Sequence, residues 1–230
     1  MWCEYSDMHS PLAYIKKKHM ELSEFKYPIE QKGVVNDFYR EIFFEGEYDR
    51  YGAKVEEGDV VIDFGAFVGM FSHFALTKGA KQVYAVEADK SSYDCLYENT
   101  KQFPNIKPHH GWVSDRRDGT VNPGLYNVER IMDENNLLSI DYLKMDIECA
   151  EYPTLINMTD ETMQRVGKWA IEFHLEWVND GKKWSHGDDF DGHNVSKLLY
   201  IMEKFTRNGF SLAYEHIHKK YNIVMLYAWR

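Results

Sequence analysis

Cysteine is scarce in this sequence of 230 residues, which contains only Cys3, Cys95 and Cys149. Three irregularly spaced cysteines are too few for a disulfide framework or a zinc knuckle, because either would need more cysteines at regular spacing. We therefore interpret all three as free thiols, which is typical of a protein in a reducing, cytoplasmic compartment.

Long apolar runs are also missing. No stretch approaches the roughly 18 uninterrupted apolar residues that a membrane-spanning helix needs. The first twenty residues carry charges where a signal peptide would have its apolar segment. The sequence therefore predicts a soluble intracellular protein with no membrane partner.

Basic charge is sparse, since 27 lysines and arginines stand against 37 acidic residues and give a net charge of −10. A protein that follows a phosphate backbone usually clusters its basic residues. The only run of three is Lys16, Lys17 and Lys18, which is more typical of a solvated helix face. We expect no nucleic-acid partner.

Linkers, repeats and low-complexity segments are absent as well, so nothing marks a domain boundary. With 44% hydrophobic residues, the chain can bury one sizeable core. We expect a single domain over residues 1–230, with an N-terminal helical or cap segment at 1–57 and an α/β core at 58–230. A helix is predicted from Asn36 through Phe44, where it could cap a ligand site.

What the sequence does have is a series of short apolar runs separated by stretches with helical spacing. This alternation predicts a parallel sheet covered by helices on both faces. The runs span residues 60–66, 82–88, 140–148 and 169–175. Helices are predicted at 69–78 and at 91–103, the second with Ser91 as its N-cap. Residues 210–218 and 221–229 resemble two strands joined by only two lysines, a hairpin-length connection.

The most informative segment is VVIDFGAFVGMFSHFAL, residues 60–76. Its strand ends at Asp63, and Gly65 and Gly69 flank a tight turn that opens into an amphipathic helix. Glycine tolerates positive φ and lets a ligand lie against bare backbone. The free N–H groups at the start of the helix can hold a carboxylate. The segment therefore predicts a ligand-binding turn.

A carboxylate follows this turn about 20 residues further on, at the spacing of a ribose-binding acid. Glu87 ends the next apolar run, where it could accept both hydroxyls of a ribose. The turn lacks the third glycine of the dinucleotide-binding pattern, which weakens a nicotinamide or flavin interpretation, and it lacks the lysine of a P-loop. Other interpretations stay open: Asp63 could tie loop amides together, and Phe67 and Phe71 could be core residues.

Several segments together resemble the FkbM-type methyltransferases, a group of class I S-adenosylmethionine-dependent enzymes. They are VVIDFGAFVGMFSHFAL, QVYAVEAD, HHGWVSDRRDG, IDYLKMDIECAEYPTL and WAIEFHLEW. The resemblance covers roughly residues 36–178. It implies an α/β, Rossmann-like fold with a central, mostly parallel seven-stranded sheet, a C-terminal antiparallel hairpin and helices on both faces. It also implies S-adenosyl-L-methionine as the methyl donor.

The resemblance also implies a set of donor contacts. The loop around the methionine moiety would comprise Asp63, Gly65, Ala66, Gly69, Phe71 and Ser72. The ribose would be bound by Glu87 with its neighbour Ala88, the adenine by Trp112, Val113 and Ser114, and the amino group and sulfonium would lie near Asp146. The chain departs from the family pattern at two positions, since the family usually has asparagine where this chain has Phe67 and glycine where it has Cys149.

Two predicted strand ends carry acidic and imidazole groups. Asp146 and Glu148 are two residues apart, as are Glu172 and His174, so each pair should project from one face of its strand. The carboxyl ends of parallel strands meet at one edge of the sheet, which predicts one polar cluster there. A hydrogen-bonded network that only supports the cofactor loop would use the same residue types.

Methyl transfer from a sulfonium needs alignment of the acceptor and removal of its proton. A neutral imidazole at His174 could take that proton, within a catalytic cluster that includes Asp146 and Glu148. Alternatively, Asp146, Glu172 and His174 could hold a divalent metal that lowers the pKa of the acceptor hydroxyl. Oxygen-rich ligands with one imidazole favour Mg²⁺ or Mn²⁺ over zinc.

Residues 176–196 are rich in Trp, Asp, Gly and His and predict a long loop over the acceptor site. Trp177 and Trp184 could stack on a sugar face, whereas the acidic and histidine residues from His186 to His193 fit a solvated loop better than a metal site. The sequence favours an O-methyltransferase acting on a hydroxyl of a sugar or glycan. Alternatives are a polyketide-like small-molecule acceptor, a nicotinamide-dependent oxidoreductase, or a non-catalytic binding subunit. The oligomeric state stays open, a homodimer being one option.

Overall fold

The apolar runs of the sequence form the strands of one sheet in the computed structural model. The structure describes residues 20–114, 124–148, 150–174, 178–179, 182–183, 195–218 and 223–230. The sheet strands are β1 (Val60–Phe64), β2 (Gln82–Glu87), β3 (Ile106–His110), β6 (Ile140–Met145), β7 (Val166–His174), β10 (Ser211–His218) and β11 (Ile223–Trp229). Two short pairs lie outside it: β4 (Trp112–Val113) with β5 (Leu125–Tyr126), and β8 (Val178–Asn179) with β9 (Lys182–Lys183).

The seven strands are arranged in the order β10-β11-β7-β6-β1-β2-β3. Neighbours from β7 to β3 are parallel, while β11 runs antiparallel to both β7 and β10. The predicted mostly parallel sheet with a C-terminal antiparallel hairpin is therefore confirmed. Strands buried on both faces need apolar side chains in both directions, which explains why the runs in the sequence are continuous rather than alternating.

Helices cover both faces of this sheet, as predicted. Those in the described residues are α1 (Lys32–Phe43), α2 (Met70–Thr77), α3 (Lys90–Thr100), α4 (Val128–Glu134), α5 (Glu151–Asn157), α6 (Asp160–Gln164) and α7 (Val195–Arg207). Val61 of β1 packs in one apolar layer with α1, α2 and α3, whereas its neighbours Ile62 and Phe64 pack in the other with α4 to α7. Successive side chains of β1 point to opposite faces of the sheet, so this strand contributes to both apolar layers.

Two helix boundaries differ from the sequence prediction. The N-cap of α3 is Asp89 rather than Ser91, because the Asp89 carboxylate accepts the Ser92 amide at 2.8 Å and the Ser91 hydroxyl at 2.6 Å. Because the Asp89 carboxylate accepts both hydrogen bonds, the helix begins two residues earlier than it would with Ser91 as the cap. Helix α1 begins at Lys32, before the predicted Asn36.

Some predicted features lie outside the described residues. They are Cys3, Cys149, Lys16 to Lys18, the hairpin lysines Lys219 and Lys220, and Trp177, Trp184 and His186 to His193 of the predicted loop. Within the part of the chain that the structure describes, no helix combines the length and apolarity needed to cross a bilayer.

Candidate functional site

The glycine-rich turn connects β1 to α2 in a conformation that requires glycine at both ends. Gly65 has φ of +74° and Gly69 has φ of +89°, in the left-handed region that side chains disfavour. A Cβ at Gly65 would collide with the backbone carbonyl of Asp146, whereas a Cβ at Gly69 would meet the side chain of Leu96 at 2.8 Å. The first glycine therefore permits a close approach of two backbones, and the second starts the helix.

Glu87 lies beneath this turn. One of its oxygens accepts the Phe67 amide at 2.8 Å and the other accepts the Asp89 amide at 2.7 Å. Burial raises the pKa of Glu87, and the two amide hydrogen bonds oppose that shift. The carboxylate is thus positioned at the turn, as the sequence predicted, but each oxygen already bonds the backbone, and a ribose would have to use the remaining lone pairs.

Phe67 itself adopts a left-handed conformation, with φ of +50°, which is unusual for an aromatic residue. Its ring packs edge-to-face on Phe38 of α1, with the ring centroids 5.4 Å apart. Asparagine, which the family usually has at this position, tolerates this backbone conformation better than phenylalanine does. In this chain, Phe67 gives up that advantage and gains an apolar contact with α1.

Asp63 and Ser72 face each other rather than a ligand. The Ser72 hydroxyl donates to Asp63 at 2.6 Å, and both side chains are fully buried. The second Asp63 oxygen lies 3.5 Å from the ammonium of Lys144. Asp63 therefore ties β1 to α2 and β6 through a hydroxyl and an ammonium, instead of the loop amides expected from the sequence.

Lys144 is a site residue that the sequence analysis missed. It is only 4% exposed, and its ammonium donates to the Gly65 carbonyl at 2.6 Å and lies 3.8 Å from the carboxylate of Asp146. Burial would lower the pKa of Lys144, but Asp63, Asp146 and Glu172 raise it above its usual value, so the group stays charged. The signal was a lysine between Leu143 and Met145, in the buried second half of β6.

A small cleft that is partly open to solvent lies between the turn and the end of β6, and its enclosed volume is about 30 Å³. Its lining residues are Phe38, Ile42, Tyr48, Gly65, Ala66, Phe67, Met70, Phe71, Lys144 and Asp146. Helix α1 therefore forms one wall of the cavity, at the position where the sequence analysis placed a cap.

The other residues that were predicted to contact the methyl donor lie on the far side of Glu87. The Gly111 amide donates to the Glu87 carbonyl at 2.9 Å, which places β4 next to the end of β2. Trp112 is 67% exposed, Val113 is buried, Ser114 is half-buried, and the Ala88 carbonyl lies 3.1 Å from the His110 ring. These residues form a surface separate from the cavity lining.

A buried polar cluster adjoins the cavity at the ends of β6 and β7. The Tyr48 hydroxyl lies 2.5 Å from a Glu172 oxygen and 3.3 Å from an Asp146 oxygen. Burial raises the pKa of Glu172 well above its usual value, and the charge of Asp146 raises it further. Tyr48 lies in the segment between α1 and β1, and no motif pointed to it in the sequence.

His174 lies at the edge of this cluster between three carboxylates. Its Nδ1 is 3.5 Å from Glu151, and its Nε2 is 3.7 Å from both Glu148 and Glu172. Burial alone would lower the pKa of His174, but the hydrogen bond and charge of Glu151, with the charges of Asp146 and Glu172, raise it to about 10. These neighbours favour the imidazolium, not the neutral imidazole that a general base requires.

The predicted metal ligands are arranged differently from the expectation. Strand β6 ends at Met145, so Asp146 and Glu148 do not share a strand face, and Glu148 has a φ of +52°. Nevertheless, ligand atoms of Asp146, Glu148 and His174 all lie within 4.8 Å of one another. Glu172 is not in this group of potential ligands; one of its oxygens accepts the Tyr48 hydroxyl, and the other lies 3.7 Å from Nε2 of His174.

Comparisons with known proteins agree with this fold. A family model described as "Methyltransferase FkbM domain" matches residues 81–212. An uncharacterized protein of Methanocaldococcus jannaschii is 37% identical over 91 residues, which are 39% of this chain and 34% of that protein. The 31-O-demethyl-FK506 methyltransferase FkbM of Streptomyces tacrolimicus is 40% identical over 68 residues, 29% of this chain and 26% of that enzyme. The matched regions thus span 34% and 26% of these curated relatives.

Among solved structures, the methyltransferase FkbM of Methylobacillus flagellatus superposes with a TM-score of 0.54 at 17% identity, covering 82% of this chain and 47% of that one. The METTL16 methyltransferase domain superposes with a TM-score of 0.52 at 11% identity, covering 89% and 72%. These similarities are to the fold. Because the family model also covers more than half of the sequence, the chain belongs to the FkbM methyltransferase domain family, within the class I S-adenosylmethionine-dependent methyltransferases.

Proposed function

We propose that this chain is an S-adenosylmethionine-dependent O-methyltransferase that methylates a hydroxyl group of a saccharide. The observation that carries the proposal is the cleft, which brings the glycine-rich turn next to the buried ammonium of Lys144 and the carboxylate of Asp146. A sulfonium donor needs a place where its methyl group is shielded from water but within reach of an acceptor. The boundary between the turn and the polar cluster meets both conditions.

For the donor, we assign the methionine end to the turn and the adenosyl end to the surface beyond Glu87. The start of α2 offers free N–H groups to a carboxylate, and Ala66 and Phe71 add apolar contact. Glu87 is the candidate for the ribose hydroxyls. Trp112, which is largely exposed, can stack on the adenine together with Val113 and Ser114.

For the acceptor, we propose that the carboxylate pair of Asp146 and Glu172 removes the proton from the hydroxyl group. Asp146 lines the cavity, and the Tyr48 hydroxyl links it to Glu172 behind it. This assignment replaces His174 as the base, since the carboxylates around His174 favour its protonated form. The imidazolium then helps to hold Glu172 in place.

The choice of oxygen as the methylated atom is supported by one relative. The Streptomyces tacrolimicus enzyme is named for methylation of an oxygen of 31-O-demethyl-FK506. The choice of a saccharide depends on the tryptophan-bearing loop predicted from the sequence. A non-saccharide acceptor such as 31-O-demethyl-FK506 is therefore an explicit arm of the test below.

A divalent cation at Asp146, Glu148 and His174 is a second element of the proposal. Two carboxylates and one imidazole within 4.8 Å suit Mg²⁺ or Mn²⁺, and such an ion would displace the Nε2 proton of His174, whose Nδ1 lies 3.5 Å from Glu151. Such an ion would lower the pKa of an acceptor hydroxyl. If EDTA leaves activity unchanged and Mn²⁺ gives no binding heat with the wild-type protein, the cation is excluded.

The central experiment has two stages. Isothermal titration calorimetry first compares S-adenosylmethionine with NADH, and we expect binding of the first alone. Methyl-labelled donor is then offered with a panel of saccharides, 31-O-demethyl-FK506 and simple amines, with and without EDTA. Asp146→Asn should abolish transfer, whereas Asp94→Asn, an exposed aspartate on α3, should not.

Each outcome decides between functions. Binding of NADH in place of the sulfonium donor would refute the methyltransferase proposal. Label on an amine nitrogen would refute O-methylation, and label on 31-O-demethyl-FK506 alone would refute the saccharide. Donor binding without transfer to any member of the panel would favour the non-catalytic binding subunit.

A further inference from the structure

Tyr48 lies outside residues 81–212, the region that matches the family model, yet its side chain reaches the centre of the site. Two buried tyrosines fix the backbone around it. The Tyr142 hydroxyl on β6 donates to the Tyr48 carbonyl, and the Tyr227 hydroxyl on β11 donates to the Glu47 carbonyl at 2.7 Å. Both donors come from strands that are paired on both sides, so the segment is anchored to the sheet at two points.

The Tyr48 side chain is held as firmly as its backbone. It is 5% exposed, and its ring packs on Phe71, with the ring centroids 5.6 Å apart. The Lys144 ammonium lies 5.3 Å from the centre of the same ring. A tyrosine fixed at its backbone, ring face and ring edge can place its hydroxyl reproducibly.

The hydroxyl is placed between the buried carboxylate of Glu172 and the partly buried carboxylate of Asp146. It lies 2.5 Å from Glu172 and 3.3 Å from Asp146. Burial raises the pKa of Tyr48 well above its usual value, and the charges of Asp146 and Glu172 raise it further, so the phenol keeps its proton and acts as a donor. A neutral donor between like charges lowers their repulsion without neutralising either of them.

We propose that Tyr48 is a positioning residue of the methyl-transfer site, which joins Glu172 to Asp146 and holds both carboxylates at the cavity. The inference rests on the proposed function, in which these two carboxylates remove the proton from the acceptor hydroxyl. It adds a residue from the N-terminal segment to a site whose other polar members lie in β6, β7 and the turn after β6.

Tyr48→Phe tests this role because it removes one hydroxyl and keeps the ring. Tyr39→Phe is the matched control, since the Tyr39 hydroxyl is also hydrogen-bonded inside the protein, to the Met20 carbonyl at 3.1 Å, and does not touch the cavity. We expect Tyr48→Phe to keep the donor Kd of the wild type and to lower kcat about 10- to 100-fold, the cost of misplacing a reacting group. Tyr39→Phe should keep both.

A double-variant cycle separates positioning from a general loss of structure. If Tyr48 acts through Glu172, Tyr48→Phe combined with Glu172→Gln should be no slower than Glu172→Gln alone. Removing both partners also leaves no buried carboxylate without its donor, so this variant should fold even if Tyr48→Phe does not. Multiplicative rate losses in the double variant would overturn the proposal.

Crystal structures of the wild type and Tyr48→Phe give a test that needs no acceptor. We expect the Asp146 and Glu172 carboxylates to lie farther apart in the variant, and unchanged positions would overturn the inference. If the wild type methylates nothing in the panel, the proposed function fails, while the comparison of carboxylate positions still decides the role of Tyr48. If the wild type is active and Tyr48→Phe is equally active, the inference alone fails.

Discussion

The buried ammonium of Lys144 makes a large stability effect predictable. Lys144→Met keeps most of the aliphatic volume but removes the charge that lies 3.5 Å from Asp63 and 3.8 Å from Asp146. Asp63 is completely buried, and its remaining side-chain partner is the Ser72 hydroxyl. The substitution therefore leaves a carboxylate in the core without its counter-charge.

The expected cost follows from that geometry. Removing one member of a buried ion pair typically lowers the free energy of unfolding by about 3–5 kcal/mol. For a chain of this length, each kcal/mol corresponds to a Tm change of about 2–4 °C. We therefore expect the Tm of Lys144→Met to fall by roughly 6–20 °C.

Differential scanning calorimetry and urea unfolding of the same samples measure this cost. Lys90→Met is the control, because Lys90 pairs with Asp94 on the exposed surface of α3 and should matter little. Adding Asp63→Asn to Lys144→Met should restore much of the loss, since the uncompensated charge is then gone. A Tm for Lys144→Met equal to that of Lys90→Met would refute the reasoning that Lys144 is a structural counter-ion.

Two further predictions concern burial and backbone space. Burial and the neighbouring charge of Glu41 raise the pKa of Glu47 to about 8, so folding takes up a proton between the unfolded pKa of 4.5 and about 8. The stability of the wild type should therefore fall by up to about 1.4 kcal/mol per pH unit as pH rises through that window, and Glu47→Gln should flatten the curve. Gly65→Ala should abolish donor binding and lower the Tm more than Gly69→Ala, because its Cβ meets a backbone carbonyl rather than a movable leucine side chain.

Urea titrations from pH 5 to pH 8.5 check the first of these, and parallel curves for wild type and Glu47→Gln would contradict it. Donor calorimetry and thermal melts check the second. Both glycines have positive φ, so an alanine at either position causes similar backbone strain. This strain therefore cancels when the Tm values of the two variants are compared. An equal loss of Tm in Gly65→Ala and Gly69→Ala would show that the carbonyl of Asp146 moves aside.

The fold was predictable because its signals are local. A strand buried on both faces must be largely apolar, as β1 is apart from Asp63, and a glycine pair must follow where the chain turns sharply into a helix. The terminal hairpin was predictable from two strand-like runs with a short connection. Each signal lies within about ten residues of sequence, which is the range over which periodicity is informative.

The site was only partly predictable because its contacts are distant in sequence. Tyr48 and Glu172 are 124 residues apart and meet only after the sheet has formed. A tyrosine in a connecting segment gives no motif. The position of Glu148 was misjudged for a different reason, since β6 ends one residue before Asp146 and the alternation of a strand no longer applies beyond it.

The order of the strands has a practical consequence for anyone trimming this chain. Expression of residues 81–212 alone would omit β1, which lies between β2 and β6, and β11, which lies between β7 and β10. The excised piece would keep β2 and β3, β6 and β7, and a fragment of β10 as separate groups with bare edges. Unpaired edges of this kind promote aggregation, so cloning limits should follow the sheet rather than the conserved-domain match.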